Sequence, residues 1–272
     1  MKKIKMKDLT IILPIHLMGE KTDDLFKNAI KSINTQTVEE KPKLLVVRSN
    51  DLKVKNFLDQ FDFEGLDVEI VENDGDTSFM GQINFGMDKV DTKWFSILEY
   101  DDEYATIWFK NVSRYSNEYK DVDVFLPLVV DVTAEGEFIN FTNEAVWAMN
   151  FSDKMGYLDN QCLLRYPNFQ TSGMVINKEK FEEVGGFKSS LRLTFVYEFL
   201  LRATYNDLKV FTVPKVGYKH TNMRPDSLFW NYKNNEKEHI DSKEANFWIE
   251  TAKKEYFFTV DREIKYTPET VD

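Results

Sequence analysis

Apolar positions in the first hundred residues fall in short uninterrupted runs separated by stretches of helical spacing. Leu9-Thr10-Ile11-Ile12-Leu13 is the first run. Thr22 then stands where a helix cap belongs, and Leu25, Ala29, Ile30 and Ile33 share one face of the helix that follows it. Residues 43–47 form a second apolar run, so the opening reads β-α-β. A third run covers 68–71; Ile83, Met87 and Val90 come next in helical register, ahead of a fourth run at 94–98. Strands without polar alternation are buried on both faces, and helical crossovers join parallel neighbours. The pattern predicts an α/β fold with a Rossmann-like, mostly parallel central sheet flanked by helices. Ligands of such sheets bind at the carboxyl ends of the strands.

The middle of the chain, about 120–166, is less regular, with apolar runs at 122–130 and 138–141 and many aromatic residues. Regular spacing returns with Gly173-Met174-Val175-Ile176, then a helix that Asn177 would cap and Gly185-Gly186 would end. A helix over about 197–204 and a strand at 209–213, stopped by Pro214, complete the expected core. Past His220 the chain is polar and aromatic. The spacing of Ala245, Trp248, Ile249 and Ala252 predicts a C-terminal helical extension, 221–272, behind a domain formed by 1–220.

Composition narrows the function classes. Forty-six acidic residues against 35 basic ones give a formal charge of −11 over 272 residues, which works against general affinity for a phosphate backbone. The single cysteine, Cys162, excludes an internal disulfide and any cysteine-cluster metal site. The basic N-terminus is followed by too short an apolar run, broken by Pro14, for a membrane span or an export signal. The expected compartment is therefore the cytoplasm, with no transmembrane segment.

Four carboxylates crowd into Glu99-Tyr100-Asp101-Asp102-Glu103, directly after the fourth run. Strand alternation would send Glu99 and Asp101 to one side. Paired carboxylates suit Mg²⁺ or Mn²⁺, hard cations that take oxygen ligands and bridge to substrate phosphates. An acidic cluster is also what a solvated loop or a helix's first turn contains.

From this turn outward the chain resembles the GT-A nucleotide-sugar glycosyltransferases, specifically the family 2-like group. Residues 9–16, Leu-Thr-Ile-Ile-Leu-Pro-Ile-His, are similar to that family's first strand and nucleotide loop, and Ser32-Ile33 with Gln36-Thr37 to the end of its first helix. Gly81, Asn84 and Gly86 resemble its Gly…Arg-Asn-x-Gly stretch, and Ile97-Leu98-Glu99-Tyr100-Asp101-Asp102 its Leu-Asp-x-Asp-Asp motif. Val184-Gly185-Gly186-Phe187, the helix bearing Glu198 and Arg202, and Pro214 with Tyr218 and His220 follow in the family's order. The likeness runs through residues 8–220. Three departures stand out: Arg48-Ser49-Asn50-Asp51 where acidic residues usually end the second strand, Glu99 in place of Asp, and Phe195-Val196 where inverting members carry a Glu-Asp pair.

The resemblance implies a GT-A-type fold with a nucleotide-sugar half at about 1–103 and an acceptor half at about 104–220. It implies a metal-dependent transferase that uses a nucleotide-diphosphate sugar, most often a UDP-sugar. The metal, Mn²⁺ or Mg²⁺, falls to Glu99, Asp101 and His220; the donor to Pro14, Ile15, His16, Arg48, Asn84, Gly86, Tyr100, Lys219 and Arg224. Glu198 is the expected general base, with Asp102 as its rival. The four-residue spacing of Glu198 and Arg202 suits a helix salt bridge equally well, and Asn84 and Gly86 also suit a cap and a turn. Trp147 is a candidate acceptor platform, because sugar rings and bases stack on aromatic faces. The acceptor is open among a glycan, a lipid-linked sugar, a soluble hydroxyl compound and the hydroxymethylated bases of DNA. Two other classes stay open: a nucleotide-sugar-binding protein without turnover, and a nucleotidyltransferase. The second is disfavoured by the absence of a GxxxxGK[ST] phosphate loop.

Overall fold

A computed structural model describes residues 3–16, 18–19, 21–144, 155–222 and 242–267. A short 3₁₀ turn, Met6–Asp8, leads into β1 (Leu9–Ile15), followed by α1 (Thr22–Asn34), β2 (Lys43–Arg48), α2 (Leu52–Gln60), β3 (Val68–Glu72), α3 (Phe79–Lys89) and β4 (Trp94–Ile97). Then come β5 (Glu103–Tyr104), α4 (Trp108–Glu118), β6 (Val124–Val132), β7 (Phe138–Thr142), β8 (Tyr157–Leu158), α5 (Asn160–Arg165), β9 (Val175–Asn177), α6 (Lys178–Glu183), α7 (Phe195–Tyr205), β10 (Val210–Thr221) and α8 (Ser242–Glu255). Ten strands make one sheet in the order β3-β2-β1-β4-β9-β6-β10-β5, with β7 beside β6 and β8 beside β10. β1, β2, β3, β4, β6 and β10 run in one direction; β5, β7, β8 and β9 run against them. The sheet is mostly parallel, as the apolar runs predict.

Those runs lack polar alternation because both faces are covered. Ile11, Leu13 and Ile15 of β1 join Leu44 and Val46 of β2 in one apolar layer with Phe26, Ile30 and Trp108. Ile12, Leu45 and Val47 point the other way, into a second layer with Ile83, Phe181 and Phe199. Fully burying each such side chain contributes about 1.5–3 kcal/mol. Gly86 of α3 allows that helix to lie against the sheet: a Cβ there would stand 2.8 Å from side-chain carbons of both Ile12 and Val47.

Four local features differ from the sequence reading. Thr22 begins α1 rather than capping it; its hydroxyl accepts from the Gly19 amide at 2.7 Å. α2 has too few apolar positions to announce itself, burying only Val54 and Leu58, and it is capped by Asp51, which accepts from the Lys53 amide. β10 does not stop at Pro214. The ladder with β6 breaks between Val213 and Val216, where a bulge tolerates a residue without an N–H, and pairing resumes to Thr221. Finally, α8 packs against the domain, which its spacing alone does not say: Trp248 and Ala252 are buried, Ala252 joins the second apolar layer, and the Trp248 carbonyl accepts from the Thr194 hydroxyl at 3.0 Å.

Candidate active site

The acidic turn sits where β4 ends, in the centre of the sheet beside the carboxyl end of β1. A turn closed by the Asp102 amide donating to the Glu99 carbonyl at 3.1 Å reverses the chain into β5, which pairs antiparallel with Tyr218 and Lys219 of β10. That pairing draws Asp102 inward. Its Oδ1 accepts from the Thr221 amide at 2.8 Å, the side chain is fully buried, and Oδ2 has no hydrogen-bond partner among the described residues. The ligand atoms of Glu99, Asp101 and Asp102 all lie within 4.8 Å of one another.

The surrounding residues fix this corner. Tyr218, fully buried, accepts from the Glu99 amide through its hydroxyl at 3.0 Å, and Ser172 donates to Glu99 Oε1 at 3.0 Å. Gly173 is obligatory beside it: its φ is +71°, and a Cβ would meet the Tyr218 ring at 2.4 Å. The Gly173 carbonyl accepts from the Trp108 indole at 3.0 Å, and the Tyr104 hydroxyl donates to the Ile97 carbonyl at 3.0 Å.

Electrostatically the corner is strained by its own charge. Burial pushes Asp102 well above the usual carboxylate range; His220 pulls against this, while Asp101 and Glu99 add to it. His220 feels the reverse. Burial opposes its charge, but Asp102, the hydrogen-bonded Asp131 and Glu99 outweigh burial and hold it up at about 10. Three converging oxygen donors, one buried and unpartnered, are what a hard divalent cation requires and what an undressed protein interior avoids. The donor set fits Mg²⁺ or Mn²⁺.

The expected roles now sort themselves. Glu99 and Asp101 converge with Asp102; His220 is not part of the converging set among the described residues. His220 stands alongside, with Nδ1 2.8 Å from Asp131 Oδ1. Pro14 and Ile15 are buried in β1, and His16 follows at its end, where burial lowers its pKa and its ring meets that of Tyr100 edge-on at 6.2 Å. Ser49, after β2, closes this side, donating to the His16 carbonyl at 2.9 Å.

Other expected site residues have partners of their own. Glu198 has no exposure, and both its oxygens are taken: Arg202 grips them at 2.8 and 2.9 Å and Lys188 lies 2.8 Å from Oε1. In this arrangement its surroundings are those of a buried ion cluster, and no acceptor hydroxyl reaches it. Arg202 carries the clamp further, donating to the Val184 and Gly186 carbonyls, while Lys188 reaches the Glu255 carbonyl of α8 at 2.7 Å. Asn84 brackets Phe187, donating to its carbonyl at 2.7 Å and accepting from its amide at 2.9 Å, so both it and Gly86 do packing work within α3. Arg48 pairs across the strands with Glu72, and Lys219 with Glu103, so neither offers an unpaired charge. Arg224 and Trp147 lie outside the described residues. Two residues escaped the sequence reading. Asp131 could have been noticed as the one carboxylate in the apolar stretch that became β6; Ser172 carried no signal.

No protein-family model matches the chain, and no curated protein does either. Solved structures do. S. aureus TarS 1–349 superposes with a TM-score of 0.57 at 13% identity, over 78% of this chain and 60% of that one. The same protein in complex with UDP-GlcNAc gives 0.59 at 11% identity, over 80% and 59%. Longer S. aureus TarS gives 0.59 at 11%, over 92% of this chain and 43% of its own. The chain thus spans about 60% of TarS 1–349, and at such identity the likeness is one of fold: the GT-A-type sheet flanked by helices.

Proposed function

We propose that the chain is a metal-dependent glycosyltransferase that moves a sugar from a nucleotide-diphosphate sugar, a UDP-sugar, to a hydroxyl acceptor. One observation carries the reading: three carboxylates converge at the carboxyl end of a central strand, and one of them keeps a buried oxygen with no hydrogen-bond partner among the described residues. The fold supports it, since TarS, which shares it, has been crystallised with UDP and with UDP-GlcNAc.

Glu99, Asp101 and Asp102 would hold Mn²⁺ or Mg²⁺, which when bound supplies Lewis acidity to the departing diphosphate. The protein's own part is to arrange the rest. Ser172 and Tyr218 orient Glu99, β5 and β10 keep Asp102 dry, and His220 stands beside the trio as a hydrogen-bonding partner for the diphosphate. His16 and Tyr100 form the wall nearest the end of β1, where the nucleotide of such sheets lies.

A second reading, nucleotide-sugar binding without turnover, is favoured by α7: Phe195 and Val196 replace the carboxylates expected of a base, and Glu198 is sealed in its ion cluster. Incubation with UDP-GlcNAc and Mn²⁺ separates the two. Transfer, or release of free sugar, supports the transferase; tight metal-dependent binding with the donor intact supports the binder. No binding of any nucleotide sugar, with or without metal, would overturn both.

A further inference from the structure

We propose that Asp131 is a positioning residue of this site: it holds His220 through Nδ1 and so presents Nε2 to the diphosphate that the carboxylate corner receives. The inference rests on the reading of the corner as a metal–diphosphate site.

Four observations carry it. Asp131 lies on β6 directly beside His220 of β10 in the strand register, so the backbone itself brings the two side chains together. Their atoms meet at 2.8 Å, and Asp131 is buried while the imidazole is partly open to solvent. A buried carboxylate inside an apolar strand is costly unless it has a charged or hydrogen-bonding partner, and His220 supplies it. The third observation concerns the other nitrogen. With Nδ1 committed to Asp131, Nε2 has no hydrogen-bond partner among the described residues. Fourth, the Thr221 amide, next to His220, is tied to Asp102 at 2.8 Å, so the ring's backbone is fixed to the corner as well. An imidazole anchored at one nitrogen by a carboxylate and left free at the other is the arrangement that orients histidines toward ligands elsewhere.

The test uses Mn²⁺ and UDP as probes on the full chain, read as the loss of the free Mn²⁺ electron paramagnetic resonance signal. D131A should weaken Mn²⁺–UDP binding roughly 10- to 100-fold. D131N, whose amide oxygen can still accept from Nδ1–H, should stay within a few-fold of wild type. H220A should weaken binding as D131A does, and D131A in the H220A background should add nothing further, because the two residues act as one unit. D131A binding like wild type, D131N as weak as D131A, or additive losses in the double variant would overturn the proposal while leaving the metal site intact. Wild-type protein that leaves the Mn²⁺ signal unchanged, with and without UDP, would instead remove the reading beneath it. Because D131N keeps the hydrogen bond and the side-chain volume, it perturbs folding less than D131A and keeps the test decisive if D131A is unstable.

Discussion

Glu198→Gln separates a structural ion from a catalytic base. In the native protein the carboxylate is fully buried between Arg202, at 2.8 and 2.9 Å, and Lys188, at 2.8 Å. Glutamine keeps the shape and one acceptor but leaves two cations, 1% and 0% exposed, without a counter-charge. Removing one partner from a buried ion cluster costs about 3–5 kcal/mol, against a total stability on the order of 5–15 kcal/mol. For a chain of this size that lowers the melting temperature by on the order of 10 °C. Urea and thermal melts measure the loss; donor turnover, measured at a temperature where the variant is folded and expressed per folded molecule, should be nearly that of wild type. A variant as stable as wild type but slower by about 10²-fold or more would return Glu198 to general-base catalysis.

Other perturbations divide structure from function in the same way. Asp102→Asn keeps the hydrogen bond from Thr221 and should weaken Mn²⁺ binding at least tenfold by titration calorimetry. Gly173→Ala forces a side chain into positive φ against the Tyr218 ring, and should cost about 1–3 kcal/mol in urea melts and weaken Mn²⁺ binding through the displaced Glu99 contact. Asn84→Ala leaves the Phe187 amide and carbonyl unsatisfied, at about 1–3 kcal/mol each; donor affinity of the folded variant should not change. Ser172→Ala should weaken Mn²⁺ binding a few-fold with no effect on the melt, since it touches only one oxygen of Glu99.

The parts of the fold legible in the sequence are those where one physical rule acts alone. Runs such as 9–13 and 43–47 read as strands because both sheet faces are covered and nothing polar is needed. α2 was illegible because it buries only two side chains on an edge of the sheet, and the continuation of β10 past Pro214 because a bulge, not a propensity, decides it. At the site, the acidic turn was legible as a cluster at a strand end. Which oxygens converge was not: strand alternation pairs Glu99 with Asp101, whereas the reversal into β5 adds Asp102 and leaves His220 to Asp131. Likewise the spacing of Glu198 and Arg202 allowed a salt bridge, but only the approach of Lys188 from the preceding loop shows that the carboxylate is sealed.

The proposed transferase depends on a cation held by Glu99, Asp101 and Asp102 beneath a nucleotide diphosphate. Thermal melts with a UDP-sugar, with and without Mn²⁺, on wild type and on Asp101→Ala test it most directly, because a ligand that binds only the native state raises its melting temperature. The expected result is a Mn²⁺-dependent rise in the wild type that disappears in the variant, whose unliganded melt stays cooperative. A rise of equal size in both proteins, or none in the wild type at saturating donor and metal, would contradict it.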